Sequence, residues 1–504
     1  MKRIFTVSLS LLIAAAAFGQ DRYDELLLST EQYGGSARTM AMGNAFTALG
    51  GDMGSLSINP ASSGVFRCSQ ISVTPAVGFR SATSTYLGSE VKSSASTFTV
   101  PNTGFVFTFD TGRMSGLLNF NFGLTLSRKA DFNTVTRVAG STSGSSYVAS
   151  LASELAASGI TYDRIDMDAG ARPFDNVSSA YWPHILMYNA FLIDLDGDFP
   201  SDDAAYIPNT YSRDNLHRLR IPGELNQDLY RRTRGGIDEF SLNFGGNVSD
   251  ILYFGVNVNL ESVNYIVEES MSEFSSEPGR FDTGFDEALA NYWRQTTGLG
   301  INAKFGLIVT PVTGLRIGAT FTTPTAYSLT DTWDHTVYSY FDGSNPLYQD
   351  WKRETPPGVY DWSTTSPLRF SIGAAYVFGK GGLVSFDYER VNYSRISNEF
   401  NASNIFRAGA EGRIADFISL RAGYAHYSSP EEGGSATRLV SGGLGFNLNS
   451  SFGIDVAYQH MLQSSGTFSL YNNYTDIYEG SVTAPTGTEV RSGGRVSISL
   501  NWKF

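Results

Sequence analysis

A chain of 504 residues would ordinarily divide into about three soluble domains. Charged residues make up only 17% of this one, under the roughly 25% usual for soluble domains, while aromatics reach 13% and glycine fills 52 positions. With 36 Lys and Arg against 49 Asp and Glu the formal charge is −13, which excludes a nucleic-acid partner bound through clustered cations.

Read from its start, the chain places Lys2 and Arg3 ahead of an apolar, Ala-rich run from Ile4 to Phe18, with Ala17 and Gly19 framing a cleavage site before Gln20. This pattern predicts an export signal over residues 1–19 and a mature protein outside the inner membrane. No later segment approaches the roughly 20 consecutive apolar residues of a membrane helix. Few charges, many aromatics and abundant glycine instead predict an all-β fold, a transmembrane β-barrel with its apolar residues in alternation. Cys68 is the single cysteine, so no intramolecular disulfide or Cys-rich metal site forms.

Residues 20–68 do not alternate. Gly34, Gly35, Gly43, Gly50, Gly51, Gly54 and Gly64 punctuate short apolar stretches containing Met40, Met42, Phe46, Leu49 and Ile58, and Asn59-Pro60-Ala61 follows. Pro60 has no N–H and breaks a ladder, so a compact, turn-rich hatch is expected, buried in the barrel lumen. Met40, Met42, Phe46 and Leu49 are candidate ligand-pocket residues, because flexible Met side chains adapt to varied apolar ligands. Arg38 is a candidate partner for a ligand carboxylate or for an acid of the hatch or lumen.

From residue 69 to 504 period-two runs predict about fourteen strands, near residues 70, 97, 115, 237, 251, 293, 314, 367, 383, 403, 417, 437, 451 and 490. Tight turns are expected to alternate with longer excursions, the largest a long extracellular loop at about 129–235. The last strand runs Val496, Ile498, Leu500, Trp502, Phe504 on one face to the final residue. Such a strand ending in Phe504 resembles the signal by which bacterial barrel-assembly machinery recognises outer-membrane proteins.

The stretch Ala37-Arg38-Thr39-Met40-Ala41-Met42-Gly43-Asn44-Ala45-Phe46, then Asp52 and Asn59-Pro60-Ala61, resembles the FadL/TodX family of outer-membrane transporters. Phe305-Gly306-Leu307 with Arg316-Ile317-Gly318, and Leu420-Arg421-Ala422-Gly423-Tyr424-Ala425, are similar to its middle and late hairpins. The likeness lapses from about 129 to 235, and Ser62-Ser63-Gly64 follows the triplet where the family often has Gly-Leu. The resemblance implies a fourteen-stranded barrel in the bacterial outer membrane, plugged by an N-terminal hatch of which Asn59, Pro60 and Ala61 are the pivot. It implies passive uptake of hydrophobic small molecules, long-chain fatty acids or aromatic hydrocarbons, past the polar lipopolysaccharide layer and into outer-membrane lipid. The alternative is a FadL-like barrel that serves secreted or surface proteins as partner or shuttle, with the long loop as docking surface.

Other chemistry is sparse, and neither an enzyme nor a cofactor is expected. His184, His217, His335, His426 and His460 lack metal-motif spacing. The one weak metal candidate is Asp194, Asp196 and Asp198, an oxygen-rich loop suited to Ca²⁺, although Gly197 comes too early for an EF-hand and Ala205 stands where its bidentate Glu belongs.

Overall fold

Alternation of apolar with small polar residues makes fourteen strands, each long enough to cross a bilayer when tilted or extended by a neighbouring piece. The computed structural model describes residues 22–195, 205–415, 417–476 and 480–504. The expected export signal lies outside the described residues, as do Asp196 and Asp198. β1 (Gln70–Tyr86) and β2 (Ser89–Asp110) are followed by β3 in two pieces, Leu117–Asp131 and Thr134–Thr142. β4 (Leu225–Val248), β5 (Leu252–Ser275) and β6 (Phe285–Val312) are uninterrupted. β7 comprises Leu315–Thr322 and Ala326–Phe341, and β8 comprises Trp351–Glu354, Gly358–Thr365 and Arg369–Val377. The rest are β9 (Gly382–Asn392), β10 (Ala402–Ala415), β11 (Ile418–Tyr427), β12 (Thr437–Asn447), β13 (Phe452–Ser469) and β14 (Thr486–Lys503). Each pairs antiparallel with the next, and β1 pairs β14 from Gln70↔Lys503 to Thr85↔Thr488, closing the barrel.

Outward faces define the membrane belt. On β5, Phe254, Val258 and Leu260 are exposed apolar residues, and the same face then continues as Ser262, Asn264 and Glu268. The wall therefore rises beyond the bilayer on the rim away from the chain ends. On the inward face of β5, Asn257, Asn259 and Glu261 are fully buried, and Val263, Tyr265 and Val267 follow them. A concavity of about 740 Å³ lies on the outside among Phe120, Phe244, Phe254, Phe305, Phe321 and Phe370, and belongs to this lipid-facing belt.

Two expectations about the connections need correction. The first connection on the upper rim is no excursion but the two-residue turn Leu87-Gly88, with φ 48° and 83°. The long loop is also shorter than expected, because Thr134↔Thr233 to Thr142↔Leu225 is a strand ladder. Above the belt the outward face no longer meets lipid and the inward face mixes Thr136 and Gln227 with Val138 and Leu229, so no apolar period marks it. The described residues of the remaining excursion, 143–195 and 205–224, form a cap. Its helices α1 (Tyr147–Ser158) and α2 (Trp182–Asn189) turn Leu151, Leu155, Ile185 and Leu186 onto Leu229, Met271, Phe285 and Phe468 of the wall. Glu273 of β5 fixes the start of α1, accepting from the N–H groups of Tyr147 (2.8 Å) and Val148 (3.2 Å) and from Ser146 Oγ (2.6 Å).

The belt boundary on β5 makes a measurable contrast. Val258→Arg is expected to destabilise the folded barrel by about 2–4 kcal/mol, and Asn264→Arg, on the same face, by about 0–1 kcal/mol. Urea unfolding of the two variants in lipid vesicles checks this; equal losses would misplace the boundary.

Candidate functional site

The lumen is filled by residues 22–66, which divide into a base, 37–66, and a strap, 22–36. The base begins with a short helix, Ala37–Ala41, capped by Ser36, whose Oγ accepts from Thr39 N (3.1 Å) and donates to Asp52 Oδ1 (2.5 Å). Pro60 opens a 3-10 turn over Pro60–Val65, where a missing N–H costs nothing. Asn59 caps that turn, its Oδ1 accepting from Ala61 N at 3.0 Å while its Nδ2 donates to Thr47 O (2.6 Å) and to Leu307 O of β6 (3.3 Å). The triplet therefore joins hatch to wall. Inward glycines let the two backbones meet: a Cβ on Gly255 or Gly306 would overlap Pro60 or Asn59, and one on Gly409 or Gly423 would overlap Met42 or Gly43.

The sequence-predicted residues fall as follows. Met40 is buried against Ala37, Ala41 and Ala457, while Met42, Phe46 and Leu49 are buried together with Tyr33, Ile58 and Ala375, so all four are hatch packing. Arg38 makes a two-pronged ion pair with Glu411 of β10, 2.8 and 3.2 Å, and stacks 5.5 Å from the Phe46 ring. From Glu411 the chain of charges continues through Arg421 (2.6 Å) to Asp455 (2.6 Å) and Asn501 (2.8 Å) along the inner wall. Asp194 accepts from Tyr348 OH at 3.1 Å, and among the described residues no group of three metal-ligating side chains comes together.

Three features escaped the sequence reading. The first is the strap helix, Arg22–Ser29, which stands inside the lumen. Its Leu28 packs with Val263, Tyr265 and Trp362 on one side and its Leu26 with Val391, Ile405 and Leu439 on the other. Asp24 receives both Nη groups of Arg294, at 2.6 and 2.7 Å.

The second is a seam in the wall. β2 and β3 share only nine pairs, Asn102↔Ser127 to Asp110↔Asn119, although β1–β2 pairing continues to Tyr86↔Ser89. Above Asn102 the upper piece of β3 passes inside its neighbours. Arg80 Nη2 donates to Asp131 O (2.9 Å), Ser93 Oγ to Val135 O (2.7 Å) and Thr136 Oγ1 to Glu489 of β14 (2.8 Å). Pro75 and Pro101 lie at this height, where the β1–β2 register slips between Thr74 and Ala76. Neither proline can donate to a ladder, and Pro101 in an otherwise β-like run was the available signal of an edge. Outward-facing Phe98 and Val100 keep the seam within the apolar belt.

The third is what closes the seam. Gln32 N donates to Lys129 O (2.8 Å) and Gly34 N to Arg128 O (3.0 Å), so the strap replaces β2 as partner of the β3 edge. Gly34 is wedged there: a Cβ would lie 2.8 Å from Pro101 Cβ and 2.9 Å from Arg128 O. Behind the strap a cavity of about 90 Å³ is lined by Gln32, Gly78, Arg80, Thr97, Asp131 and Arg495.

No family model and no curated protein matches this sequence. Solved structures do. The P. putida toluene transporter TodX is similar over 95% of this chain and 99% of that one, at 12% identity and TM-score 0.56. A Pseudomonas aeruginosa FadL homologue is similar over 94% and 99%, at 11% identity and TM-score 0.54. The CymD monoaromatic hydrocarbon channel is similar over 93% and 97%, at 11% identity and TM-score 0.50. The chain thus has the fold of the FadL/TodX channels.

Asn59→Ala is expected to cost the base about 1–3 kcal/mol, because it leaves two backbone carbonyls without their donor. Amide exchange over residues 37–66 of the inserted protein should rise accordingly. Gly306→Val, which places a side chain where Asn59 sits, should expose the base to added protease while the barrel remains folded on a heat-modifiability gel.

Proposed function

We propose that the protein is a passive outer-membrane channel for hydrophobic small molecules, long-chain fatty acids or aromatic hydrocarbons, closed at rest by its N-terminal hatch. The observation that carries this reading is the parting of β2 from β3 inside the apolar belt, with the hatch beneath it. A polar solute gains nothing from a lateral opening against lipid. An apolar one avoids the lipopolysaccharide layer on the way in and leaves into an environment that favours it. The three solved relatives named above, a toluene transporter, a FadL homologue and a monoaromatic hydrocarbon channel, share this wall and plug plan over nearly their whole length.

A polar porin would need an open lumen, whereas base, strap helix and cap here occupy successive levels of it. The role as partner for secreted or surface proteins is less well supported, since the cap turns the apolar faces of its helices α1 and α2 into the barrel mouth.

The test is uptake. Cells carrying the protein in their outer membrane should accumulate labelled long-chain fatty acid or toluene several-fold faster than cells without it, while liposomes containing it should swell in small sugars no faster than empty ones. Porin-like swelling, or unchanged uptake of both hydrophobic compounds, would overturn the proposal. Phe46→Ala, which opens a hole in the packing of the base, should alter uptake without altering insertion.

A further inference from the structure

The concavity of about 740 Å³ on the outer face of the wall is a groove with a direction. Its upper edge is a row of residues in register across β4 to β8, Phe244, Val256, Phe305, Phe321 and Phe370. The row beneath it is thinned by two small residues, Gly246 of β4 and Ala319 of β7. Phe244 stands five residues from the turn at Ser249, whereas Phe370 stands nine from the turn at Gly379, so the groove climbs from the turn side at β4 into the belt at β8. With Leu117 and Phe120 of β3 it crosses six strands, a length of about 24 Å at strand spacings of about 4.8 Å. The rim of short turns faces the periplasm in outer-membrane barrels.

The low end of the groove is charged. Ser249 N donates to Gly116 O (2.8 Å) and Gly116 N to Ser249 Oγ (2.9 Å), which ties the β2–β3 turn to the β4–β5 turn. The first turn carries Asp110 and Arg113, both exposed, and the second carries Asp250, ion-paired with Arg67. Two guanidinium groups thus stand with two carboxylates where the groove meets the rim. Behind the groove, Gly245, Gly255 and Gly306 form part of its floor, and their inner sides meet Ser63, Pro60 and Asn59 of the hatch base. One layer of backbone separates the two.

We propose that this groove binds one phospholipid of the periplasmic leaflet, an acyl chain lying over Gly246 and Ala319 and a zwitterionic phosphoethanolamine head at the turns. Its phosphate meets Arg67 and Arg113, because guanidinium groups match phosphate oxygens, and its ammonium meets Asp110 and Asp250. The site lies outside the lumen and does not depend on the channel reading. An aromatic hydrocarbon would leave the charged end unused, and a second copy of the barrel would offer a convex wall to a concave one. A long flexible chain with a polar head fits both parts. Strands rich in glycine have few side chains to hold them, so the bound chain braces the wall on which Asn59 and Pro60 rest.

Native mass spectrometry of the full-length protein, stripped of lipid in detergent and titrated with palmitoyl-oleoyl phosphatidylethanolamine, tests this. The wild type should retain one lipid per barrel, and should hold it more tightly than palmitic acid. Ala319→Phe fills the floor from outside and should weaken retention about tenfold or more. Ala410→Phe, at an exposed outward position of β10, should leave it unchanged. Arg113→Gln should weaken it about threefold. Heat-modifiability gels establish that each variant is folded. No retained lipid in the wild type, or equal retention by Ala319→Phe and Ala410→Phe, would overturn the proposal. Palmitic acid bound as tightly would make the groove a site for the solute, and a lipid-free dimer would make it a subunit interface; either overturns it too. Should Ala319→Phe fail to insert, the wild-type comparison with palmitic acid still decides.

Discussion

Inside a bilayer no water meets an exposed N–H or C=O, so every backbone group of a spanning segment must find its partner within the protein. Pairing of β1 with β14 closes the ring, yet at the β2–β3 junction both strands run on beyond their nine shared pairs. The strap repairs part of what remains. Gln32 and Gly34 serve the β3 edge with main-chain donors, as a strand would, but over only two bonds. At this height two main-chain bonds from the strap stand where strand pairing would otherwise continue.

The same requirement explains the composition. A barrel of this size needs its lumen filled, and the hatch fills it with backbone as much as with side chains. Close backbone approach is possible only where the wall carries no Cβ, and Gly255, Gly306, Gly409 and Gly423 are distributed around the ring at the level of the base. Many of the remaining charges are drawn inward, as in the Arg38–Glu411–Arg421–Asp455 series, instead of covering a water-facing surface. A low fraction of charged residues is therefore what remains when the belt excludes them and the lumen balances them in pairs.

The strands were legible because the belt imposes a period of two wherever one face meets lipid, as in Val496, Ile498, Leu500 and Trp502. The fourteen expected starting points fall on the fourteen strands. Where the wall leaves the bilayer the signal vanishes: Thr134–Thr142 and the first part of Leu225–Val248 are strand, yet they read as loop. Within the hatch, Asn59-Pro60-Ala61 was legible as a turn, and its contact with Leu307 was not, since nothing local in the sequence encodes a partner 248 positions away. Arg38 was legible as a buried cation seeking an acid. Glu31 was not singled out, because its partners Lys129 and Arg369 are brought to it only by the topology.

Cap and strap occupy the lumen at two levels, the cap held at Glu273 and the strap at Glu31 and Asp24. Glu273 belongs to the wall and grips the cap by accepting from the first N–H groups of helix α1, a contact that needs the helix in place but leaves both parts neutral when parted, apart from the carboxylate itself. Glu31 belongs to the strap and is gripped by the wall through Lys129 and Arg369. The two closures consequently differ in what opposes opening. Lifting the cap exposes the apolar faces of Leu151, Leu155 and Ile185, a cost in hydrophobic burial that a hydrophobic solute can offset by covering them. Releasing the strap exposes buried charge, which such a solute cannot offset by apolar contact alone.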